Sequence, residues 1–249
     1  MNSNKPKEDL WLLHEKYGGQ ETPGFFEDLR RIEAGEPVDY VIGFSTFLGA
    51  KIDLSYHPLI PRTETEFWVE KAMEHISMGK TEILDMFAGS GCIGIAILKH
   101  LKDVSVDFGE KDPLLIKQIE KNIDINNIDF MRAHVYETDV FANIPQKKYD
   151  YIFANPPYVS HDRKWQVARP VLEHEPHLAI FTDDDGLFFV KQMLNESPNF
   201  LTQDGMLFLE FDQWQKEKIE KLVEDSKFEG VFWRDQYEKW RVAVLTLKN

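Results

Sequence analysis

An α/β protein built on a mainly parallel sheet is the fold class this sequence predicts, on three observations. Beyond Gly79, short runs rich in β-branched and aromatic residues alternate with stretches of helical period. Some of those runs, such as Tyr149-Asp150-Tyr151-Ile152-Phe153-Ala154, have the length and aromatic content of a buried strand, as a sheet covered on both faces requires. Finally, the two stretches that carry chemistry each follow a strand directly, and open α/β sheets place their ligands there.

The elements follow in order. Residues 9–17 carry Leu10, Leu13 and Tyr17 at helical spacing, and residues 23–33 carry Phe26, Leu29 and Ile32. Gly18-Gly19 and Gly35-Glu36-Pro37 break these two helices. Residues 38–59 alternate around Phe44, Phe47, Ile52 and Leu54, with Gly49 as a turn, which predicts a β-hairpin. In Pro61-Arg62-Thr63-Glu64-Thr65-Glu66 the spacing of Thr63 and Glu66 predicts a capping box at the head of a helix. Strands are expected at 82–87, 104–109, about 130–136, 149–154, 206–211, 229–234 and 241–247. Helices are expected at 92–101, from 113 onward, at 186–196 and at 214–226. The organisation expected is a short helical segment over 1–36, a linking hairpin over 37–60 and one large domain over 61–249.

Composition narrows the function. The chain has 249 residues, 43% hydrophobic and 13% aromatic, as an ordinary globular protein with a sizeable core has. Its formal charge of −14 argues against non-specific binding to nucleic acid or anionic membrane, because phosphate contacts need Lys and Arg. The single cysteine, Cys92, rules out an internal disulfide and reads as a small buried residue of an apolar helix. Met1-Asn2-Ser3-Asn4-Lys5-Pro6-Lys7 lacks the apolar core of a signal peptide, and no run is long enough to span a bilayer. A soluble, cytoplasmic protein is expected.

The first chemical stretch is Asp85-Met86-Phe87-Ala88-Gly89-Ser90-Gly91, between a strand and a helix. Small residues there let the backbone approach a ligand, and the helix offers free N–H groups. The glycine spacing is not that of a dinucleotide fingerprint, and no lysine follows as in a P-loop. Glu110 ends the next strand about twenty residues on, where an acid can accept from ribose hydroxyls. A glycine loop and a ribose acid without phosphate-binding chemistry point to a nucleoside-like cofactor such as S-adenosylmethionine.

The second stretch is Asn155-Pro156-Pro157-Tyr158. Its prolines fix φ and restrict the residues before them. The loop offers two acceptors, the Asn155 side-chain oxygen and the Pro156 carbonyl, beside the flat ring of Tyr158. That suits a planar substrate with an N–H₂ group. An amide nitrogen is a poor nucleophile, so orienting it in line with a methyl sulfonium is the catalysis required. Once methylated it loses its proton to water readily.

With these pieces placed, the chain resembles the HemK/PrmC family of peptide chain release factor glutamine methyltransferases. The resemblance rests on Gly35-Glu36-Pro37-Val38-Asp39-Tyr40, Leu59-Ile60-Pro61-Arg62-Thr63-Glu64-Thr65-Glu66, residues 85–95, Asn155-Pro156-Pro157-Tyr158, Glu175-Pro176, Asp185-Gly186-Leu187, Leu209-Glu210 and Arg241-Val242. It implies a seven-stranded, mainly parallel, Rossmann-like sheet of the S-adenosylmethionine-dependent methyltransferase kind, with the last strands in an antiparallel hairpin. It implies methylation of the glutamine of a Gly-Gly-Gln motif in a release factor. Asp85, Phe87, Ala88, Gly89, Ser90 and Gly91 then match the cofactor loop, where the family usually has glycine at position 87. Glu110 matches the ribose acid, and Asp139 and Val140 fall near the adenine. Asn155, Pro156, Pro157 and Tyr158 match the substrate amide site, with Asn155 also close to the methyl donor. The family's N-terminal helical domain is about twice as long as residues 1–36.

Other readings weigh less. The same NPPY chemistry serves an exocyclic adenine amine in DNA or RNA, but the acidic charge and the lack of a nucleic-acid module count against it. Glu173-His174-Glu175-Pro176-His177 reads as a loop with solvated side chains rather than a metal cluster. Asp183-Asp184-Asp185-Gly186 reads as a cap and acidic first turn of the next helix. Gly18-Gly19-Gln20 reads as a turn.

Overall fold

The computed structural model describes residues 7–77 and 79–248, so the polar lead ahead of Lys7 lies outside the described residues. Two helices open the chain: α1 (Lys7–Glu15) and α2 (Pro23–Glu33). Thr22 caps α2 by accepting from the Phe25 N–H, and Pro23 starts it with φ already set. Gly18 and Gly19 form the expected turn, both at positive φ (57° and 83°).

The hairpin expected over 38–59 is shorter than predicted, because its first residues form a helix, α3 (Val38–Ile42). Val38, Val41 and Ile42 read locally as strand, but they pack with Leu12, Leu13 and Phe25 in a separate apolar cluster. Tertiary burial there overrides β propensity, and Gly43 at φ 96° ends the turn of helix. The hairpin itself is β1 (Phe44–Phe47) and β2 (Ala50–Asp53). Its inward residues Phe47, Ala50 and Ile52 belong to the main core.

Next comes α4 (Thr63–Met73). The predicted capping box is absent: Arg62 holds the cap position without a side-chain bond, and Thr63 already lies in the helix. Glu66 instead accepts from the Leu48 N–H at 2.6 Å, tying the hairpin turn to α4.

The strands and helices that follow are β3 (Thr81–Met86), α5 (Cys92–His100), β4 (Val104–Glu110), α6 (Pro113–Ile125), β5 (Ala133–Glu137) and β6 (Tyr149–Ala154). A peripheral stretch holds β7 (Val159–Ser160), α7 (Arg169–His174) and β8 (Phe181–Thr182). The chain closes with α8 (Phe188–Glu196), β9 (Leu201–Glu210), α9 (Lys216–Glu224), β10 (Phe228–Arg234) and β11 (Trp240–Leu247). The main sheet has seven strands in the order β10-β11-β9-β6-β3-β4-β5. β5, β4, β3, β6 and β9 run parallel, and β11 is antiparallel to both neighbours, as the terminal hairpin predicts.

Alternate residues feed two cores. Ile83, Phe153 and Phe208 face α4, α5 and α6, and Leu84, Ile152 and Leu209 face α8 and α9. Both faces are therefore covered, the condition for parallel strands. Asp129 caps a short turn at residues 130–132, so β5 starts later than the apolar pattern suggests. β9 starts earlier than the strand expected at 206–211, at Leu201, running through Thr202, Gln203, Asp204 and Gly205.

Candidate active site

The chain winds from β3 outward to β4 and β5, then returns to place β6 on the other side of β3. That reversal makes a crevice at the carboxyl edge of the sheet. Met86 pairs with Ala154 in register, and with Gly109 on the other side. The glycine loop and the Asn155 loop therefore leave the sheet side by side, with Glu110 one strand away. A cavity of about 300 Å³ opens between them, the low end of the range for small-molecule sites. Phe87, Ala88, Gly89, Ser90, Glu110, Asp139, Val140, Asn155 and Pro157 all line it. Asp85, Gly91, Pro156 and Tyr158 do not.

The glycine loop is bent by three positive φ angles, at Phe87 (59°), Gly89 (55°) and Gly91 (77°). Glycine takes this conformation freely, whereas a bulky residue is strained by about 1–3 kcal/mol. Phe87 is held there by its ring, edge-on to Phe189 with centroids 5.1 Å apart. Below the loop, Asp85 is fully buried. Its Oδ2 accepts from the Gly94 N–H at 2.9 Å, while Oδ1 has no partner among the described residues. Burial, with Glu110 nearby, pushes its carboxyl up to about 8.

Glu110 is anchored by three backbone amides. Oε2 accepts from Gly89 at 2.8 Å, and Oε1 accepts from Lys111 at 2.7 Å and Asp112 at 2.9 Å. Its pKa is raised by burial against the opposing pull of those bonds. Two carboxylate oxygens offer about four lone-pair sites, so about one remains for a ligand. Asp139 sits across the rim, paired with Lys111 at 2.8 Å and exposed, and Val140 beside it is buried at φ 51°.

On the other side, Asn155 Nδ2 donates to the Thr65 hydroxyl at 3.4 Å. Tyr158 turns its hydroxyl to Glu210 at 3.2 Å, and its carbonyl accepts from Gln215 Nε2 at 2.9 Å. Burial, then the Glu210 charge, pushes its phenol well above the ordinary tyrosine range.

Sequence reasoning missed the opposite wall. Arg62, Thr65, Leu115, Leu178 and Phe188 also line the cavity. Two of these, Arg62 and Thr65, belong to the Pro-Arg-x-Glu-Thr-Glu run, whose spacing speaks for a helix start and a family resemblance but not for a place in the cavity wall. Glu175, expected to be solvated, is buried: Oε1 meets Arg62 at 2.7 Å and Oε2 accepts from the Ile60 N–H at 3.0 Å. This pair fastens the segment before α4 against the peripheral stretch. Asp184 and Asp185 cap nothing; they lie at positive φ and pair with Lys191 (2.6 Å) and Lys218. Cys92 is half-buried, packed against the main core at the cavity wall, and burial pushes its thiol up to about 12, so it is no nucleophile at neutral pH. Among the described residues, no helix is long and apolar enough to cross a membrane.

A seven-stranded sheet of this order, with a glycine loop and a strand-end acid at its switch point, defines the methyltransferase class. Residues 65–179 match the methyltransferase small domain family. The ribosomal protein L11 methylase of Lactobacillus delbrueckii subsp. bulgaricus superposes with a TM-score of 0.57 over 78% of this chain and 83% of that one; at 18% identity it shows the fold alone. The release factor glutamine methyltransferase of Flavobacterium psychrophilum is 31% identical over 209 residues, covering 81% of this chain and 72% of the relative. That of Thermodesulfovibrio yellowstonii is 33% identical over 196 residues, covering 78% and 70%. The chain belongs to the release factor glutamine methyltransferase family.

Proposed function

We propose that this protein uses S-adenosylmethionine to methylate a glutamine side-chain amide in a protein, and that the substrate is the Gly-Gly-Gln glutamine of a peptide chain release factor. The observation that carries this reading is the register of Met86 with Ala154, which sets an acceptor, Asn155, directly beside the glycine loop. The relatives' names support the substrate.

The residues present fit the cofactor. Asp85 lies behind the glycine loop rather than in the cavity wall, and its buried carboxyl ties the loop to α5 through the Gly94 N–H. The free lone pair of Glu110 suits one ribose hydroxyl, and Gly89 and Ser90 let backbone approach. Asp139 and Val140 supply the wall on the adenine side. When bound, S-adenosylmethionine supplies a methyl group on a positively charged sulfur. Asn155 Oδ1, in the cavity wall, accepts one N–H of the substrate amide and orients the nitrogen, while Pro156, behind the wall, stiffens the loop. Pro157 closes the wall beside them. Tyr158, with its hydroxyl bound to Glu210, braces the loop.

The test offers the protein labelled S-adenosylmethionine with an intact release factor, a Gly-Gly-Gln peptide or an adenine-containing oligonucleotide. Label in the factor's glutamine is expected. Label only in the oligonucleotide overturns the substrate class.

A further inference from the structure

Glu210 closes β9 with 1% exposure, and nothing above gives it a role in the chemistry. It is surrounded by donors. The Thr65 hydroxyl and the Trp68 indole N–H both donate to Oε2 at 2.7 Å, and the Tyr158 hydroxyl donates to Oε1 at 3.2 Å. Arg241, paired with Asp235 at 3.1 Å, adds a favourable charge. Burial raises the Glu210 pKa, but the indole N–H can only donate, so Oε2 accepts even where Oε1 carries a proton.

That has a directional consequence. Thr65 has one hydroxyl proton, and it is committed to Glu210. The Thr65 oxygen can therefore only accept, and the donor it meets is Asn155 Nδ2. With the nitrogen turned to Thr65, the Asn155 oxygen is left for the cavity that both residues line. Without the carboxylate, Thr65 is free to donate to the Asn155 oxygen. The amide can then turn over and present N–H₂ to a substrate that also presents N–H₂.

We infer that Glu210, acting through the Thr65 hydroxyl, is a positioning residue that locks the Asn155 side-chain amide with its oxygen toward the cavity. The inference rests on the proposed reading of Asn155 as the substrate's acceptor.

Removing Glu210 strips partners from Trp68 and Tyr158 together and endangers folding, so Thr65 is the better site for the test. Thr65→Val keeps the shape and deletes the hydroxyl. It is expected to lower kcat by about ten- to a hundredfold, with the cofactor Kd and release-factor KM within about twofold of wild type. Thr65→Ser, which keeps the hydroxyl, should restore most of the rate. Thr65→Val combined with Asn155→Ala should be no slower than Asn155→Ala alone, because both act on one contact. Fully additive losses overturn the inference. A second readout needs no turnover: the ¹⁵N-detected side-chain NH₂ signals of Asn155 in the free protein. Thr65→Val should shift them and speed their hydrogen exchange; unmoved signals overturn the inference. If they move while wild-type protein methylates no release factor, the substrate reading falls and the positioning role stands.

Discussion

Replacing Glu110 tests the cofactor half of the site. Its carboxylate holds three backbone N–H groups at 2.7–2.9 Å and keeps about one lone pair free. A hydrogen bond from a ribose hydroxyl to that charged oxygen is worth about 1.5–3 kcal/mol, which is roughly 10- to 150-fold in Kd. Glu110→Ala should therefore weaken S-adenosylmethionine by at least that factor, and by more if the freed Gly89 amide lets the loop relax. Glu110→Gln separates the two effects. Its single carbonyl oxygen can keep the Lys111 and Asp112 amides, but the N–H₂ then faces Gly89. The loop anchor and the charge are lost while the volume is kept. The measurement is calorimetric titration of S-adenosylmethionine into each variant, beside urea unfolding to report any stability lost by the stranded amides. Glu110→Ala should show a Kd raised by an order of magnitude or two, with Glu110→Gln close behind. An unchanged affinity in the folded Ala variant removes Glu110 from the site.

Four further outcomes are expected. Asn155→Ala should cut turnover about a hundredfold or more with cofactor affinity falling much less, since its side chain's one bond among the described residues is the 3.4 Å contact with Thr65; near-normal methylation would reduce the NPPY loop to a turn. Asp85 has a folded carboxyl pushed up from 3.8 to about 8, so the folded state holds a proton that the unfolded state releases between those values. Stability should therefore fall as pH rises from about 4 through about 8, and Asp85→Asn should flatten that slope in urea titrations. Glu175→Ala strands Arg62 and the Ile60 N–H and should cost about 2–3 kcal/mol by the same unfolding assay; a loss under half of that would mean the pair is not a fastening. Finally, a chain of charge −14 should be steered to a basic release factor, whose ribosome-facing surface must meet RNA. kcat/KM should drop steeply between low and physiological ionic strength while kcat changes little, and a salt-independent rate would exclude steering.

What the sequence determined by itself was the alternation of elements and the two loops. Strand period, helix period and punctuation by Gly and Pro are local properties, and each is written in consecutive residues. Hence 149–154 was legible as a buried strand, and Phe87 to Gly91 as a loop of mostly small residues between a strand and a helix. The stiffness of the NPPY loop was legible because proline limits what the backbone around Asn155 can do.

What only the tertiary structure decided depends on partners far away along the chain. Residues 38–42 are helical because α1 and α2 bury Val38, Val41 and Ile42 on one side, which no local pattern states. Glu66 left its predicted cap for the Leu48 amide, because a hairpin turn needing an acceptor was brought to it. Glu175 became a buried anchor because Arg62, more than a hundred residues earlier, supplies its countercharge. Phe87 keeps a glycine's conformation because Phe189, from another helix, offsets the strain with ring contact. The orientation of the Asn155 amide depends on a single proton of Thr65, and the buried Oε2 of Glu210 at the end of a neighbouring strand fixes where that proton points. A hydrogen bond's direction is set by everything its donor and acceptor touch, and those neighbours exist only once the sheet has brought residues 65, 155 and 210 together.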